Sequence, residues 1–189
     1  PVTHRTLTVN EPSLRYYDES MNLQPLAQVK VEEVQYSELY PLIPYVFFPE
    51  GSSTPNPSTQ VLAAQSEAGE FNIETLPSDA EEINKSTLDI VGARMNANPN
   101  ANLTVTGTIN SNENKNNQKH LAKERGDFVR NYIVANYSVD PNKIIVIAGG
   151  LPSKPSAKND PEGEAENARA ELSSTNPEIL KPILTSGER

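Results

Sequence analysis

An arginine on the apolar stripe of a helix limits what this chain can become. The stretch from Leu103 to Tyr132 opens with Leu103-Thr104-Val105-Thr106-Gly107, which alternates apolar and polar residues as a half-buried strand does. A polar segment follows, Asn110-Ser111-Asn112-Glu113-Asn114-Lys115-Asn116-Asn117, and reads as a solvated loop. A helix-patterned run then extends to about Asn136, with Leu121, Phe128 and Tyr132 on one stripe and Arg125 on the same stripe. A guanidinium does not lose its charge, so an inward arginine needs an acceptor. Two kinds are open at this point. One is an internal carboxylate, with Glu171, Asp127 and Glu124 as candidates; the other is the carboxylate of a ligand. The lean is slight, toward the internal pair.

The flanking sequence supplies a framework for that stretch. Residues 1–41 read as an extended arm, with alternation in Arg5–Val9 and Gln28–Val34 that suits two strands. Pro44 cannot donate to a ladder, so within the most apolar run the strand core is Tyr45 to Phe48, or the strand has a free edge near Pro44. Residues 49–77 read as an inserted loop, with a short helix around Gln60 to Ser66. Ser78-Asp79-Ala80-Glu81 has capping-box spacing, with Ser78 at the N-cap of a helix running to about Ala97. Ile83, Leu88, Val91 and Met95 form its apolar face. Ile144-Ile145-Val146-Ile147 has almost no polar face, as expected for a central strand covered on both sides or tightly packed. Asn167 to Leu172 then forms a last strand. The expected fold class is α+β, an α/β sandwich: a β-α-β-α-β-β mixed sheet with helices on one face, preceded by the arm.

Composition closes off several function classes. The chain of 189 residues carries a net charge of -9, which argues against a nucleic-acid backbone as partner. Cysteine is absent, so thiolate catalysis, disulfides and cysteine zinc sites are excluded. The two histidines, His4 and His120, lie in separate regions without the neighbours of a metal cluster or a nucleophile–base pair. Asp160, Glu162, Glu164 and Glu166 lack the ligand ladder of a calcium loop and read as a solvated acidic turn. Arg125-Gly126-Asp127 spells an integrin-recognition tripeptide, but inside a helix. No glycine-rich phosphate loop is present. No enzyme, cofactor or metal is expected. The chain begins at Pro1, without a visible signal peptide, and residues 174–189 keep apolar spacing as a linker or tail. A processed or excised piece of a larger parent is the expectation.

Residues 42–173 resemble the OmpA C-terminal-like domain, the peptidoglycan-associating module of outer-membrane proteins and lipoproteins. Tyr45-Val46-Phe47-Phe48 stands at the family's first strand. Asn98-Pro99-Asn100-Ala101-Asn102-Leu103-Thr104-Val105-Thr106-Gly107 is similar to its N-P-x-x-x-I-x-V-x-G lead into G-H-T-D. Val139-Asp140-Pro141-Asn142-Lys143-Ile144 resembles its turn before the third strand, and Asn167-Ala168-Arg169-Ala170-Glu171 its closing N-R-R-V-E. The resemblance implies a pocket for the diaminopimelate of the cell-wall peptide. There the family's Asp meets the ligand ammonium and its Arg meets the carboxylate with two parallel hydrogen bonds. Position by position, that Asp falls on Asn110 and that Arg on Arg125. Arg169 falls on the second Arg of N-R-R. The implied ligand-binding residues are Asn110, Gln118, Leu121, Arg125 and Arg169.

The departures fall at the chemistry. Thr108 and Ile109 replace His and Thr, and Asn110 replaces the Asp. Gln118, Ala122 and Gly126 stand where Asn, Ser and Ala are usual. An amide supplies no negative charge, so ammonium binding should weaken by about 1 kcal/mol or more. The expected function is a non-catalytic cell-envelope module that binds, or formerly bound, peptidoglycan stem peptide through Arg125. The alternative is the same scaffold serving as a protein–protein interaction or structural module of a larger envelope or surface protein. Peptidoglycan and other envelope proteins are the expected partners. The expected location is the periplasm, outer membrane or cell surface of a Gram-negative-type bacterium.

Overall fold

The computed structural model describes residues 15–25, 35–62, 65–157 and 160–188. The chain forms two compact units, one of residues 1–35 with 188–189, the other Tyr36–Gly187. In the first, β1 (Arg15–Tyr17) and β2 (Leu23–Pro25) pair antiparallel, with Tyr17 opposite Leu23. The Asp18 carboxylate holds their turn, accepting from the backbone N–H of Ser20 (3.0 Å) and Asn22 (2.9 Å). The strands expected at Arg5–Val9 and Gln28–Val34 lie outside the described residues.

The second unit is built on a four-stranded mixed sheet. Its strands are β4 (Tyr45–Phe47), β5 (Leu103–Gly107), β6 (Ile144–Ala148) and β7 (Arg169–Ser173), in spatial order β4-β7-β5-β6. β5 and β6 run parallel; β7 lies antiparallel between β4 and β5. Leu103, Val105 and Gly107 face inward while Thr104 and Thr106 are half-exposed, as the alternation required. The long helices α3 (Thr87–Ala97) and α5 (His120–Tyr137) supply the apolar layer against the inward face. This is the expected α+β architecture. A separate pair, β3 (Gln35–Tyr40) with β8 (Ile183–Glu188), completes the unit. Arg94 on α3 pins the approach to β8 by donating to the carbonyls of Ile179 (3.2 Å), Lys181 (2.6 Å) and Pro182 (3.4 Å).

Two glycines set how closely α5 approaches the sheet. A Cβ on Gly107 would lie 1.7 Å from the Ala122 carbonyl oxygen, and one on Gly126 would lie 2.5 Å from Val146 Cγ1. Only glycine allows that contact between the end of β5 and the first turns of α5. Arg125 is thereby drawn down to the level of the strand ends.

Several local expectations are corrected. The third strand, β6, is an edge strand: Ile145 is 55% and Ile147 47% exposed. β7 inserts between β4 and β5, which leaves β6 on the outside with one covered face. Asp79, not Ser78, caps α2 (Ala80–Lys85), accepting from Glu81 N–H and Glu82 N–H at 2.9 Å each. A carboxylate is the stronger acceptor there and carries the charge that a helix N-terminus favours. The single helix to Ala97 breaks at Ser86, where the hydroxyls of Ser86 and Thr87 bond back to the carbonyls of Glu82 and Asn84. The short helix of the insert, α1 (Gln65–Glu70), starts later than expected. The reason is that Gln60 N–H is held by the Lys85 carbonyl and Leu62 N–H by the Tyr132 hydroxyl, both at 2.9 Å. The acidic turn is a short helix, α6 (Pro161–Glu166), capped by Asp160.

Asp89 of α3 is fully buried, its Oδ1 accepting from the hydroxyls of Tyr132 (2.6 Å) and Tyr137 (2.8 Å). Its Oδ2 has no partner among the described residues. Burial pushes this carboxyl above its ordinary value of 3.8, and the two hydroxyl donors offset only part of that. Its contribution to stability is therefore full below pH 3.8 and is lost as pH rises through the raised value. Asp89→Asn keeps an acceptor for both hydroxyls and removes the titration. Urea unfolding between about pH 3.5 and about pH 7 should show the wild type losing stability relative to this variant as pH rises.

Candidate functional site

The acceptor that Arg125 requires comes from the segment read as a loop. Residues Ser111–Lys115 form a short helix, α4, with Asn110 as its N-cap. The Asn110 side-chain oxygen accepts from Glu113 N–H at 2.8 Å, and the Glu113 carboxylate accepts from Asn110 N–H at 2.9 Å. This reciprocal capping box turns the Glu113 side chain inward. Glu113 is the one buried residue of α4.

Its carboxylate meets the Arg125 guanidinium in a two-pronged pair. Nη1 donates to Glu113 Oε2 at 2.8 Å and Nη2 to Oε1. Both side chains are 0% exposed. The remaining donors are also taken: Nη1 to the Thr108 carbonyl (2.9 Å), Nη2 to the Pro49 carbonyl (3.2 Å) and Nε to the Ser52 carbonyl (2.9 Å). A guanidinium has five N–H donors, and all five are used within the chain. The Phe48 ring lies 5.5 Å from the guanidinium carbon and closes one side. Glu113 Oε1 accepts a further bond from Gly51 N–H at 2.8 Å. Burial alone would push the Glu113 carboxyl up; the donors of Arg125, Gly51 and Asn110 outweigh it and hold the carboxyl below its ordinary value of 4.5.

The five residues singled out from sequence divide around this pair. Asn110 is fully buried and acts as the helix cap, its Nδ2 reaching Glu50 Oε2 at 3.2 Å. Gln118 N–H donates to the Glu113 carbonyl at 2.8 Å, closing the far end of α4. Leu121 packs with Ile109 and Ala122 in a small cluster separate from the main core. Arg125 holds Glu113. Arg169 points elsewhere: its guanidinium binds Glu171 (3.0 and 2.8 Å), the carbonyls of Glu166 and Lys154, and lies 4.5 Å from the centre of the Tyr45 ring. Glu171, a candidate partner of Arg125, is thus the partner of Arg169. Sequence reasoning passed over Glu113. Its signal was Asn110-Ser111-Asn112-Glu113, a cap residue with Glu three positions on.

Chemically the arrangement is a carboxylate seat that is already full. The ion pair is neutral, and the rim is acidic: Glu50 accepts from Asn112 Nδ2 at 3.3 Å, and Glu164 accepts from Ser111 N–H. Among the described residues no group of three potential ligands could hold a metal ion.

The OmpA family model matches residues 70–169. The chain belongs to the OmpA family. This is a family of non-catalytic, peptidoglycan-binding domains of the bacterial cell envelope. Among solved structures, the OmpA-like domain of FopA1 from Francisella tularensis subsp. tularensis SCHU S4 aligns over 86% of this chain and 80% of its own, at 14% identity and TM-score 0.43. The C-terminal domain of Helicobacter pylori MotB aligns over 56% and 81%, at 19% identity and TM-score 0.37. The cell wall anchor of the T6SS from Pseudomonas aeruginosa aligns over 54% and 71%, at 20% identity and TM-score 0.37. No curated protein sequence matches.

Breaking a buried charge pair strands the other charge, so Arg125→Ala and Glu113→Ala should each cost about 3–5 kcal/mol. The double variant should cost well below the sum, measured as a double-mutant cycle in urea. The depressed Glu113 carboxyl contributes stability above pH 4.5 that is lost as pH falls through its lowered value. Acid unfolding followed by circular dichroism should therefore be flatter in that range for Glu113→Gln than for the wild type.

Proposed function

We propose that this chain is a non-catalytic OmpA-type envelope module in which Arg125 serves as an internal clamp, and that the module acts through protein contacts within a larger envelope or surface protein. The observation that carries this reading is the complete internal use of the Arg125 guanidinium at 0% exposure. A ligand carboxylate would have to replace a tethered one that already makes the same two-pronged bond. The neutral Asn110 at the family's acidic position removes the partner of a ligand ammonium. Edge strand β6 offers Ile145 and Ile147 to solvent, which suits contact with another protein surface. The periplasmic or outer-membrane side of a Gram-negative-type envelope is the compartment that goes with this reading.

A second reading has a specific observation in its favour. The Asn110 N–H and the Arg125 guanidinium both bond to the Glu113 carboxylate, so two of the residues that the family resemblance assigns to the stem peptide meet at one place. In that reading the chain docks on peptidoglycan once Glu113 has left the seat.

Sedimentation with purified sacculi at low salt separates the two. The wild type should pellet no more than an unrelated acidic protein of similar size. Pelleting that free diaminopimelate competes away would overturn the clamp reading in favour of wall docking.

A further inference from the structure

We propose that the groove between edge strand β4 and helix α2 is a docking site for an extended peptide of a partner protein, which adds to the sheet as a further strand. The peptide it fits is apolar at alternate positions and carries a lysine or arginine. The proposal rests on the reading of this module as one that acts through protein contacts, and it names the kind of partner.

The first observation is a gap in the hydrogen bonding of β4. It is an outer strand of the four-stranded sheet, with β7 on its inner side. Phe48 N–H donates to the Ala168 carbonyl and Leu172 N–H to the Pro44 carbonyl, so Pro44, Val46 and Phe48 turn their backbone groups toward β7. The alternate residues, Ile43, Tyr45 and Phe47, turn theirs outward. The chain itself closes both ends of that outward edge. Ile43 N–H donates to Asn84 Oδ1 at 2.7 Å, and the Phe47 carbonyl accepts from Asn56 N–H at 2.9 Å. Between them, the N–H and carbonyl of Tyr45 and the N–H of Phe47 have no partner among the described residues. A donor, an acceptor and a second donor in that order are what an added strand pairs with.

The second observation is the space beside that gap. A groove of about 380 Å³ is lined by Ile43, Tyr45 and Phe47 on the strand side and by Ala80, Glu81 and Asn84 on the helix side. Paired strands lie about 4.8 Å apart, so one extended chain fits against β4, while α2 as the opposite wall stands in the way of a second folded sheet. Ile43, 43% exposed, gives an apolar surface to the side chains that alternate toward it. The helix wall carries the charge. Glu81 and Glu82 lie in the first turn of α2, and Lys85 pairs with both. Two acids against one lysine leave that wall acidic, in a chain whose net charge is -9. A basic residue on the peptide complements it, and an acidic one is repelled.

The test pans phage-displayed random peptides of about nine residues on the chain, with Ala80→Trp as the counter-selection, and synthesises the peptide that recurs. Ala80 is exposed on the groove wall, so tryptophan there fills the groove while β4 and the core keep their residues. The circular dichroism melt of this variant should match that of the wild type. Recurring peptides should alternate apolar and polar residues and include lysine or arginine. Affinity for the synthesised peptide should fall about tenfold or more in Ala80→Trp. Hydrogen exchange followed by NMR reads the mode of binding. The peptide should slow exchange of the Tyr45 and Phe47 amides by about tenfold or more and leave the Phe48 amide, already bonded to Ala168, unchanged. Recovery of no peptide that binds the chain and spares Ala80→Trp would overturn the proposal. So would binding that leaves the Tyr45 and Phe47 amides unprotected, or recurring peptides without alternation or a basic residue. A chain that sediments as a dimer, with those two amides protected before any peptide is added, would assign the edge to a second copy and overturn it as well. Neither readout involves sacculi. Loss of the peptide result leaves the clamp reading in place, and sacculus pelleting that diaminopimelate competes away removes the clamp reading whatever the peptide does.

Discussion

The bond between Arg125 and Glu113 is the constraint on which this end of the molecule depends. It ties the turn after β4 to three consecutive segments much further along the chain: the end of β5, α4 and α5. Each supplies a polar group to the pair. Gly51, in a left-handed backbone (φ 72°), turns its N–H toward the carboxylate, and the carbonyls of Pro49 and Ser52 turn toward the guanidinium. A buried ion pair of this kind gives little net stability against an apolar filling of the same shape. Its value is in direction. Five donors with fixed geometry permit only one arrangement of the surrounding loops, which a cluster of leucines would not enforce.

α5 carries a second polar node two turns further along, where Tyr132 and, beyond it, Tyr137 donate to Asp89. The two nodes differ in how completely they are satisfied. At the first, every donor of the arginine has a partner. At the second, one carboxylate oxygen has none among the described residues, and burial raises the carboxyl. Their pH responses consequently have opposite signs, one weakening the fold in acid and the other weakening it as the carboxyl ionises. Between them lies the apolar layer of Val129 and Ile133 against Val105 and Leu103, all fully buried.

The fold was legible because its periodicities are local. The alternation in Leu103–Gly107 and the apolar stripe of α5 name their elements without reference to anything distant. The place of β6 was not legible. Its uninterrupted apolar run is the pattern of a central strand, but the antiparallel entry of β7 between β4 and β5 is a matter of strand order, which periodicity does not encode. The need for a buried partner to Arg125 was readable from charge alone, whereas the partner's identity was not. Glu113 sits in a run of asparagines that looks solvated, and its inward turn depends on a capping box one turn long. The partners of Arg169 were not legible for the related reason that a side chain on a strand answers to its same-face neighbours, here Glu171 and Tyr45.

The family resemblance sharpens what the pair means. The resemblance implies an acid at position 110, where this chain has the neutral amide of Asn110. A carboxylate stands three residues later, on Glu113, and is fully buried. Asn110 caps the helix, whereas the acid at 113 grips the arginine itself. The tether also sets the competition at the seat. A carboxylate on a short tether acts at an effective concentration on the order of mM or more, without the entropic cost of capture from solution. An outside carboxylate can win only through contacts that Glu113 does not make, or through a partner that holds α4 away. The same two residues therefore set both how firmly the loops are fixed and how hard the site is to enter, and neither property can be altered without the other.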